Sequence, residues 1–170
     1  VLNALGTGLT ESPALLSYLP AVCRHLLGED LILPSIPLLW CGAPGALQQV
    51  EARFEDLVFK YAFPRAGAPE PVVGALQSSQ QRAQFLERLR VEASDWVAQD
   101  RAELSAAPLW TGSGLEPRPM AIRCYAVGNG PGYQVMPGGL TRVASKSGKE
   151  AVVSMQRGAG SKDTWVLADG

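Results

Sequence analysis

The chain has 170 residues, of which 46% are hydrophobic, and this is typical of one folded domain or one large lobe with a sizeable core. The formal net charge of −1 provides no electrostatic basis for binding nucleic acid or an anionic membrane, so we expect neither as a partner. The cysteines, Cys23, Cys41 and Cys124, are too widely spaced for a disulfide framework or a zinc site, and they indicate a reducing, cytoplasmic compartment. The apolar stretches are short and contain proline, which argues against a membrane-spanning helix.

The first half of the chain alternates predicted helices and strands. Residues 1–8 read as the end of a buried strand followed by a glycine turn. A helix is predicted over 11–30, with Ser12 as N-cap, Pro13 at the first helical position and Gly28 as the stop, and Pro20 should kink or split it. After it, the pattern predicts a short helix within 45–57, a strand at 56–63, a Pro/Gly loop at 64–77 and an amphipathic helix at 78–93 capped by Ser78 or Ser79.

The second half is richer in predicted strands. The pattern indicates a strand at 95–104, a loop at 105–119, a hairpin at 120–138 that turns at 128–132, a strand at 150–157, and a glycine turn that leads into a last strand within 158–167. The resulting fold class is α+β, with a mixed or antiparallel sheet and flanking helices.

Lys60 lies within an apolar strand and is followed by the Pro/Gly loop. Strand alternation places it on the face opposite Phe59 and Tyr61. It is either an exposed lysine on an edge strand or a cleft lysine whose ammonium binds a phosphate. The loop favours the second interpretation, because glycine loops that contain residues such as Gly74 supply backbone N–H donors to phosphate oxygens.

Gln99 and Asp100 end the strand that follows the amphipathic helix. Such a strand end suits an adenine site, where backbone groups contact the purine edge and the acid binds ribose hydroxyls. An ordinary polar strand end has the same pattern, so both interpretations remain open.

Several cations in the second half lie beside glycines. Arg123 interrupts an apolar strand, and a guanidinium there needs an anionic partner unless it points to water. Arg142, Arg157 and Lys162 follow, and together they suggest a polyanion site, although an ordinary charged surface would include some of them. The dinucleotide and P-loop glycine patterns are both incomplete, and His25, in mid-helix, has no nucleophile to pair with.

These stretches together resemble the circularly permuted ATP-grasp proteins of type 2, which are bacterial proteins related to the C-terminal part of glutathionylspermidine synthetase. The resemblance covers essentially the whole chain and depends on "NALGTGLTESPAL", "LVFKYAFP", "VAQD", "LWTGSGLEPRP", "VMPGGLTRVA" and "GAGSKDTWVL". It implies a fold in which two α+β lobes clasp ATP between them, and this chain would form an ATP-grasp-like lobe.

The resemblance also assigns roles. Lys60 matches the lysine that reaches the nucleotide phosphates, and Gly74 lies in the loop that closes over them. Gln99 and Asp100 match the adenine-binding hinge, where the family usually has Gln-Glu. Arg123 and Arg142 match basic positions that face phosphate, metal or the acyl group. We expect these cations to converge on one triphosphate pocket.

Asn3 resembles the asparagine that binds the catalytic Mg²⁺. The family usually has a glutamate two residues earlier, where this chain has Val1, and a proline where it has Tyr61. We expect the chain to be the C-terminal portion of a longer polypeptide, divided near residue 55 into a helical segment and a nucleotide-binding segment, with the remaining metal carboxylates upstream.

The implied activity is an ATP-dependent carboxylate–amine ligase that acts through an acyl phosphate on small-molecule or peptide substrates, with the 170 residues alone inactive. The alternative is a degenerate ATP-grasp module that binds a nucleotide or a partner without turnover. Val1, Tyr61 and Asp100 keep this alternative open, and fold-level analogy does not decide between the two.

Overall fold

A computed structural model describes residues 5–63, 67–144 and 160–167. The chain forms two compact units, Val1–Ala102 and Glu103–Gly170. The functional segments expected on either side of residue 55 remain a prediction.

The first unit is built on a four-stranded antiparallel sheet with the strand order β1-β4-β2-β3. Its strands are β1 (Leu38–Trp40), β2 (Leu57–Tyr61), β3 (Val72–Val73) and β4 (Trp96–Asp100). The predicted strands at 56–63 and 95–104 are confirmed with shorter bounds. β1 was missed because it is only three residues long and follows a proline-containing stretch.

The helices of this unit are α1 (Pro13–Leu16), α2 (Leu19–Leu27), α3 (Ala46–Ala52) and α4 (Ser79–Val91). The helix predicted over 11–30 is split into α1 and α2 just before Pro20, because proline has a fixed φ and no backbone N–H. As predicted, α2 stops at Gly28, whose φ is 70°. Ser12 precedes α1 at the N-cap position, but its hydroxyl donates to the Ala62 carbonyl at 2.8 Å and not to its own helix.

α4 begins with a capping box, which settles the choice between the two candidate serines. The Ser78 hydroxyl accepts from the Gln81 N–H, and the Gln81 side chain accepts from the Ser78 N–H. Two helix-end N–H groups are thereby satisfied by one reciprocal pair.

The core of the first unit lies between one face of the sheet and the two helices α3 and α4. Aromatic rings fill it: the centroids of Phe59 and Phe85 are 4.9 Å apart, and those of Phe85 and Trp96 are 5.1 Å apart. Val50 of α3 and Leu89 of α4 pack into the same cluster and are fully buried. We call this the helix-covered face of the sheet.

The opposite face is covered differently. Ala14 of α1 packs there against Val97 and Ala62, with Leu38 and Trp40 beside them. The Ala14 N–H also donates to the Ala62 carbonyl at 3.3 Å. We call this the α1 face; apolar packing covers part of it, and Lys60 lies on the same face by strand alternation.

The segment 64–77 was predicted to be a loop, and this is wrong for its second part. β3 pairs with β2, with Val73 opposite Val58, and a 3₁₀ turn follows at Gly74–Leu76. A strand of two residues is too short to produce a detectable alternation in the sequence.

The described part of the second unit forms two separate antiparallel sheets. Four strands have the order β10-β9-β6-β5, and two strands form the hairpin β7-β8. The strands are β5 (Ala106–Trp110), β6 (Leu115–Arg123), β7 (Ala126–Asn129), β8 (Gly132–Val135), β9 (Gly139–Val143) and β10 (Gly160–Thr164).

The loop predicted at 105–119 is wrong: it is the hairpin β5–β6, and prolines caused the error. Pro108 lies opposite Pro117, and Pro119 lies opposite Ala106. Hydrogen bonds link the flanking pairs, from the Thr111 N–H to Gly114 and from the Met120 N–H to Ser105, so the prolines occupy positions that need no N–H donor in this ladder.

The hairpin predicted over 120–138 exists only in its later part, as β7 and β8. Its first residues, Met120 to Arg123, instead end β6 and pair with β9. The predicted last strand is present as β10, although it begins at Gly160 and ends at Thr164. The strand predicted at 150–157 lies outside the described residues.

Candidate functional site

Lys60 and Gln99 come together on the α1 face. The register places Lys60 opposite Val97 and Gln99 opposite Val58, so the two polar residues are diagonal neighbours on adjacent strands. The Lys60 ammonium donates a hydrogen bond of 2.6 Å to Oε1 of Gln99. The contact joins residues 39 positions apart, and it forms because β2 and β4 are antiparallel neighbours.

The Lys60–Gln99 contact is half-buried, and this changes the acidity of the ammonium. Burial lowers the pKa of the Lys60 ammonium, because partial removal from water disfavours its charged form. Gln99 is neutral, so the structure gives this lysine a hydrogen-bond acceptor without a neutralising charge. A partly desolvated cation of this kind is suited to binding an anion.

Asp100 lies on the helix-covered face, opposite to Gln99, because successive strand residues alternate. Its carboxylate accepts from Nη2 of Arg53 at 2.9 Å. The two side chains border a cavity of about 180 Å³ whose other lining residues are Pro37, Leu38, Leu39, Gln49, Val50, Leu57 and Ala98. Arg53 was not singled out from the sequence, since nothing in its segment signals a partner 47 residues away.

Gly74 is buried where the 3₁₀ turn meets the start of β2. A Cβ placed on Gly74 would lie 1.8 Å from the carbonyl oxygen of Phe54 and 3.2 Å from that of Leu57. Close backbone packing therefore accounts for a glycine at this position. Its expected contact with phosphate remains a prediction.

Arg123 and Arg142 lie on one face of the β6–β9 pair in the second unit. Arg142 is opposite Ala121, so Arg123 is its diagonal neighbour across the two strands. Arg123 is exposed and Arg142 is half-buried, and neither forms an ion pair with another described residue. Two arginines on one face of a strand pair, with no ion-pair partner among the described residues, provide positive charge for an anion.

The remaining candidates fall into two groups. Asn3 and Arg157 lie outside the described residues. Lys162 of β10 is described, and its ammonium contacts the Pro108 carbonyl oxygen.

The described part of the chain contains neither an arranged group of metal ligands nor a buried thiol activated as a nucleophile. Within it, no group of three or more His, Cys, Asp or Glu side chains is arranged to hold a metal ion. His25 is exposed on α2. Cys41 is buried, which raises the pKa of its thiol to about 12 and makes it a poor nucleophile at neutral pH.

Comparison with known proteins identifies the family. The family model described as circularly permuted ATP-grasp type 2 matches residues 1–144, and the chain belongs to this family. The mixture of helices and antiparallel sheets is consistent with an ATP-grasp-like α+β fold. Among the described residues, no helix is long and apolar enough to cross a membrane.

Similar proteins are bacterial and much longer. An "Uncharacterized protein" of Synechocystis sp. is 37% identical over 97% of this chain, which covers 34% of that protein. One of Mycobacterium leprae is 37% identical over 98% of this chain and 29% of its own length. A protein of Frankia casuarinae named "Putative glutamate--cysteine ligase 2-2" is 30% identical over 98% of this chain and 19% of its own length. The chain thus spans about a third or less of these relatives.

Proposed function

We propose that the chain is the ATP-binding portion of an ATP-dependent ligase that joins a carboxylate to an amine through an acyl phosphate. The observation that carries the proposal is the half-buried Lys60 ammonium, which a neutral amide holds and no described carboxylate neutralises. Membership of the ATP-grasp family and the name of the Frankia relative support the reaction class.

In this reaction the γ-phosphoryl group of ATP moves to the substrate carboxylate, and the amine then attacks the acyl carbon and releases phosphate. Catalysis of such a step depends mainly on positioning and on neutralising developing negative charge. Lys60 would contribute charge to the nucleotide phosphates from the first unit. Arg123 and Arg142 would bind anionic groups of the reactants on their face of the second unit.

Mg²⁺ would accompany ATP in a reaction of this kind and would neutralise negative charge on the phosphates. The resemblance assigns Asn3 as one ligand, and within the described residues no group of three or more His, Cys, Asp or Glu side chains is arranged to hold a metal ion. We propose that the remaining metal carboxylates come from elsewhere in the polypeptide.

A second candidate function is a degenerate module that binds a nucleotide without turnover. Asp100 favours it, because its carboxylate is paired with Arg53 on the helix-covered face, away from Lys60. The two candidates differ in phosphate release, since only the ligase releases phosphate when a carboxylate and an amine are both supplied.

The first test concerns Lys60. We expect Lys60→Ala to weaken ATP binding by about tenfold or more, because a charged hydrogen bond to a phosphate contributes on the order of 2 kcal/mol. Binding is measured by calorimetry with and without Mg²⁺ in the complete polypeptide that carries these residues. Arg24→Ala, which removes a charge from the exposed surface of α2, is the control. Equal ATP affinity in Lys60→Ala and the parent protein would remove Lys60 from the site.

The second test concerns Arg123. We expect Arg123→Ala to abolish phosphate release in a screen of carboxylate and amine pairs, because the lost guanidinium no longer stabilises transferred charge. Unchanged turnover would return Arg123 to a structural role.

A further inference from the structure

Hydrogen-bond chemistry fixes the orientation of the Gln99 amide. A lysine ammonium can only donate, so the Gln99 atom that lies 2.6 Å from Nζ is the carbonyl oxygen Oε1. The amide nitrogen Nε2 therefore points away from Lys60. The orientation follows from the partner, and it does not depend on distinguishing oxygen from nitrogen.

The amide nitrogen of Gln99 is available to a ligand. Nε2 forms no hydrogen bond with any described residue, and it is not among the buried polar atoms without a partner, which are Nε1 of Trp96 and Nε of Arg118. Gln99 is half-buried, so Nε2 reaches solvent from a partly enclosed position. The amide of Gln99 thus accepts from Lys60 at one end and has two free N–H donors at the other.

The Lys60 ammonium also has N–H donors that contact no described acceptor. One N–H of its ammonium is directed at Gln99, and the other two have no acceptor among the described residues. Its neighbours on the same face are the apolar Val58 and Val97, and burial is the only cause of the lowered pKa, so no described ionisable group cancels its charge. An oxyanion would meet both a positive charge and neutral N–H donors at this pair.

We propose that Lys60 and Gln99 form a two-residue oxyanion site, in which Gln99 positions the ammonium through Oε1 and binds the same anion through Nε2. The ligand group is a phosphate oxygen of a polyphosphate, so the inference rests on the proposed function and gives the Gln99 side chain a role other than an adenine contact. A neutral amide is essential to it, because a carboxylate at this position would hold Lys60 equally well but would cancel its charge and repel the anion.

The experiment compares two substitutions that separate geometry from charge. Gln99→Glu keeps an acceptor for Lys60 but replaces the N–H donors with negative charge, whereas Gln99→Leu removes acceptor and donors without adding charge. Gln48→Glu on the exposed side of α3 is the matched control for the added charge. Far-UV circular dichroism confirms that each variant is folded.

Binding of inorganic triphosphate and of adenosine is measured separately. We expect triphosphate affinity to fall by about tenfold or more in Gln99→Glu and by a smaller factor in Gln99→Leu, with Gln48→Glu unchanged. We also expect the titration midpoint of the Lys60 ammonium, followed by NMR, to rise in Gln99→Glu and to fall in Gln99→Leu. The midpoint reports whether residue 99 contacts the ammonium, and the triphosphate affinity reports whether Nε2 binds the anion.

Two results would overturn the inference: undiminished triphosphate binding by Gln99→Glu, or no triphosphate binding by the parent chain. Loss of adenosine binding alone in the Gln99 variants would also overturn it, because that outcome places Gln99 at the base. The parent protein could bind triphosphate at Lys60 and Gln99 and yet join no carboxylate to an amine. That result would contradict the ligase proposal but would support the oxyanion site.

Discussion

Lys60 carries a positive charge in a half-buried position where the only described partner is neutral. Such an arrangement costs stability, because desolvation of the ammonium is not offset by an opposite charge. Residues of this kind are found more often at functional sites than in purely structural positions. The effect of the Lys60 ammonium on the free energy of unfolding, and its dependence on pH, can be measured.

We expect Lys60→Met to be as stable as the parent chain or more stable by on the order of 1 kcal/mol at pH 7. The gain is small because the ammonium is only half-buried. The pKa of Lys60 is lower in the folded state than the ordinary value of 10.5. Between these two pKa values the unfolded state binds more protons than the folded state. The free energy of unfolding of the parent chain therefore increases as pH rises through this interval. The advantage of Lys60→Met should therefore be largest at neutral pH and should shrink towards pH 10.5.

Urea denaturation of the two proteins at a series of pH values measures this difference directly. Titration of other groups cancels in the comparison. A stability difference that grew with pH would contradict the lowered pKa.

At the scale of elements, the sequence identified those with strong local signals. α4 was predicted with its serine cap, because a capping box and an amphipathic run are both local features. β2 and β4 were predicted from apolar runs. β5 and the first part of β6 were missed, because whether a proline interrupts a ladder depends on which positions of the pair are hydrogen-bonded.

The candidate site shows the same division between local and non-local information. We selected four candidates from their chemistry, namely Lys60, Gln99 and Arg123 within predicted strands and Arg142 just past a predicted hairpin. Their contacts were not predicted, because the Lys60–Gln99 bond and the shared face of the arginines follow from strand order and register. Asp100 was grouped with Gln99 as its sequence neighbour, although strand alternation places the two on opposite faces.

Gly74 belongs to the element scale because it joins β3 to the 3₁₀ turn. We expect Gly74→Ala to destabilise the first unit by roughly 2–4 kcal/mol, because the added methyl would overlap the Phe54 carbonyl and force the backbone apart. Gly8→Ala is the control, since its Cβ would have no atom within 4 Å. Chemical denaturation of both variants measures the effect, and a Gly74→Ala protein as stable as the control would show that the turn tolerates a side chain.

At the scale of the molecule, the two described core clusters belong to the first unit. Their buried members lie between Ala14 and Ala98, within Val1–Ala102. The described strands of the second unit are more exposed, with Trp110 at 65% and Tyr133 at 81% of full exposure. A core of this kind is what independent folding requires.

We therefore expect residues 1–102 to fold when produced alone. The buried Trp96 provides the measurement: its fluorescence should be protected from acrylamide in the 102-residue fragment and should show a cooperative unfolding transition. The same fragment with Trp40 replaced by Phe isolates the Trp96 signal. A fragment without a cooperative transition would show that the second unit is needed for folding.

One face of the sheet of the first unit packs against the aromatic core, and the opposite face carries the proposed anion site. In β2, Phe59 faces the aromatic core and Lys60 the α1 face; in β4, Ala98 and Gln99 divide in the same way. Neighbouring residues in these strands therefore differ in role, one in the packing of the core and the next in the proposed anion site. In saturation mutagenesis of these four positions, we expect protein abundance to fall at Phe59 and Ala98 and ligand binding to fall at Lys60 and Gln99.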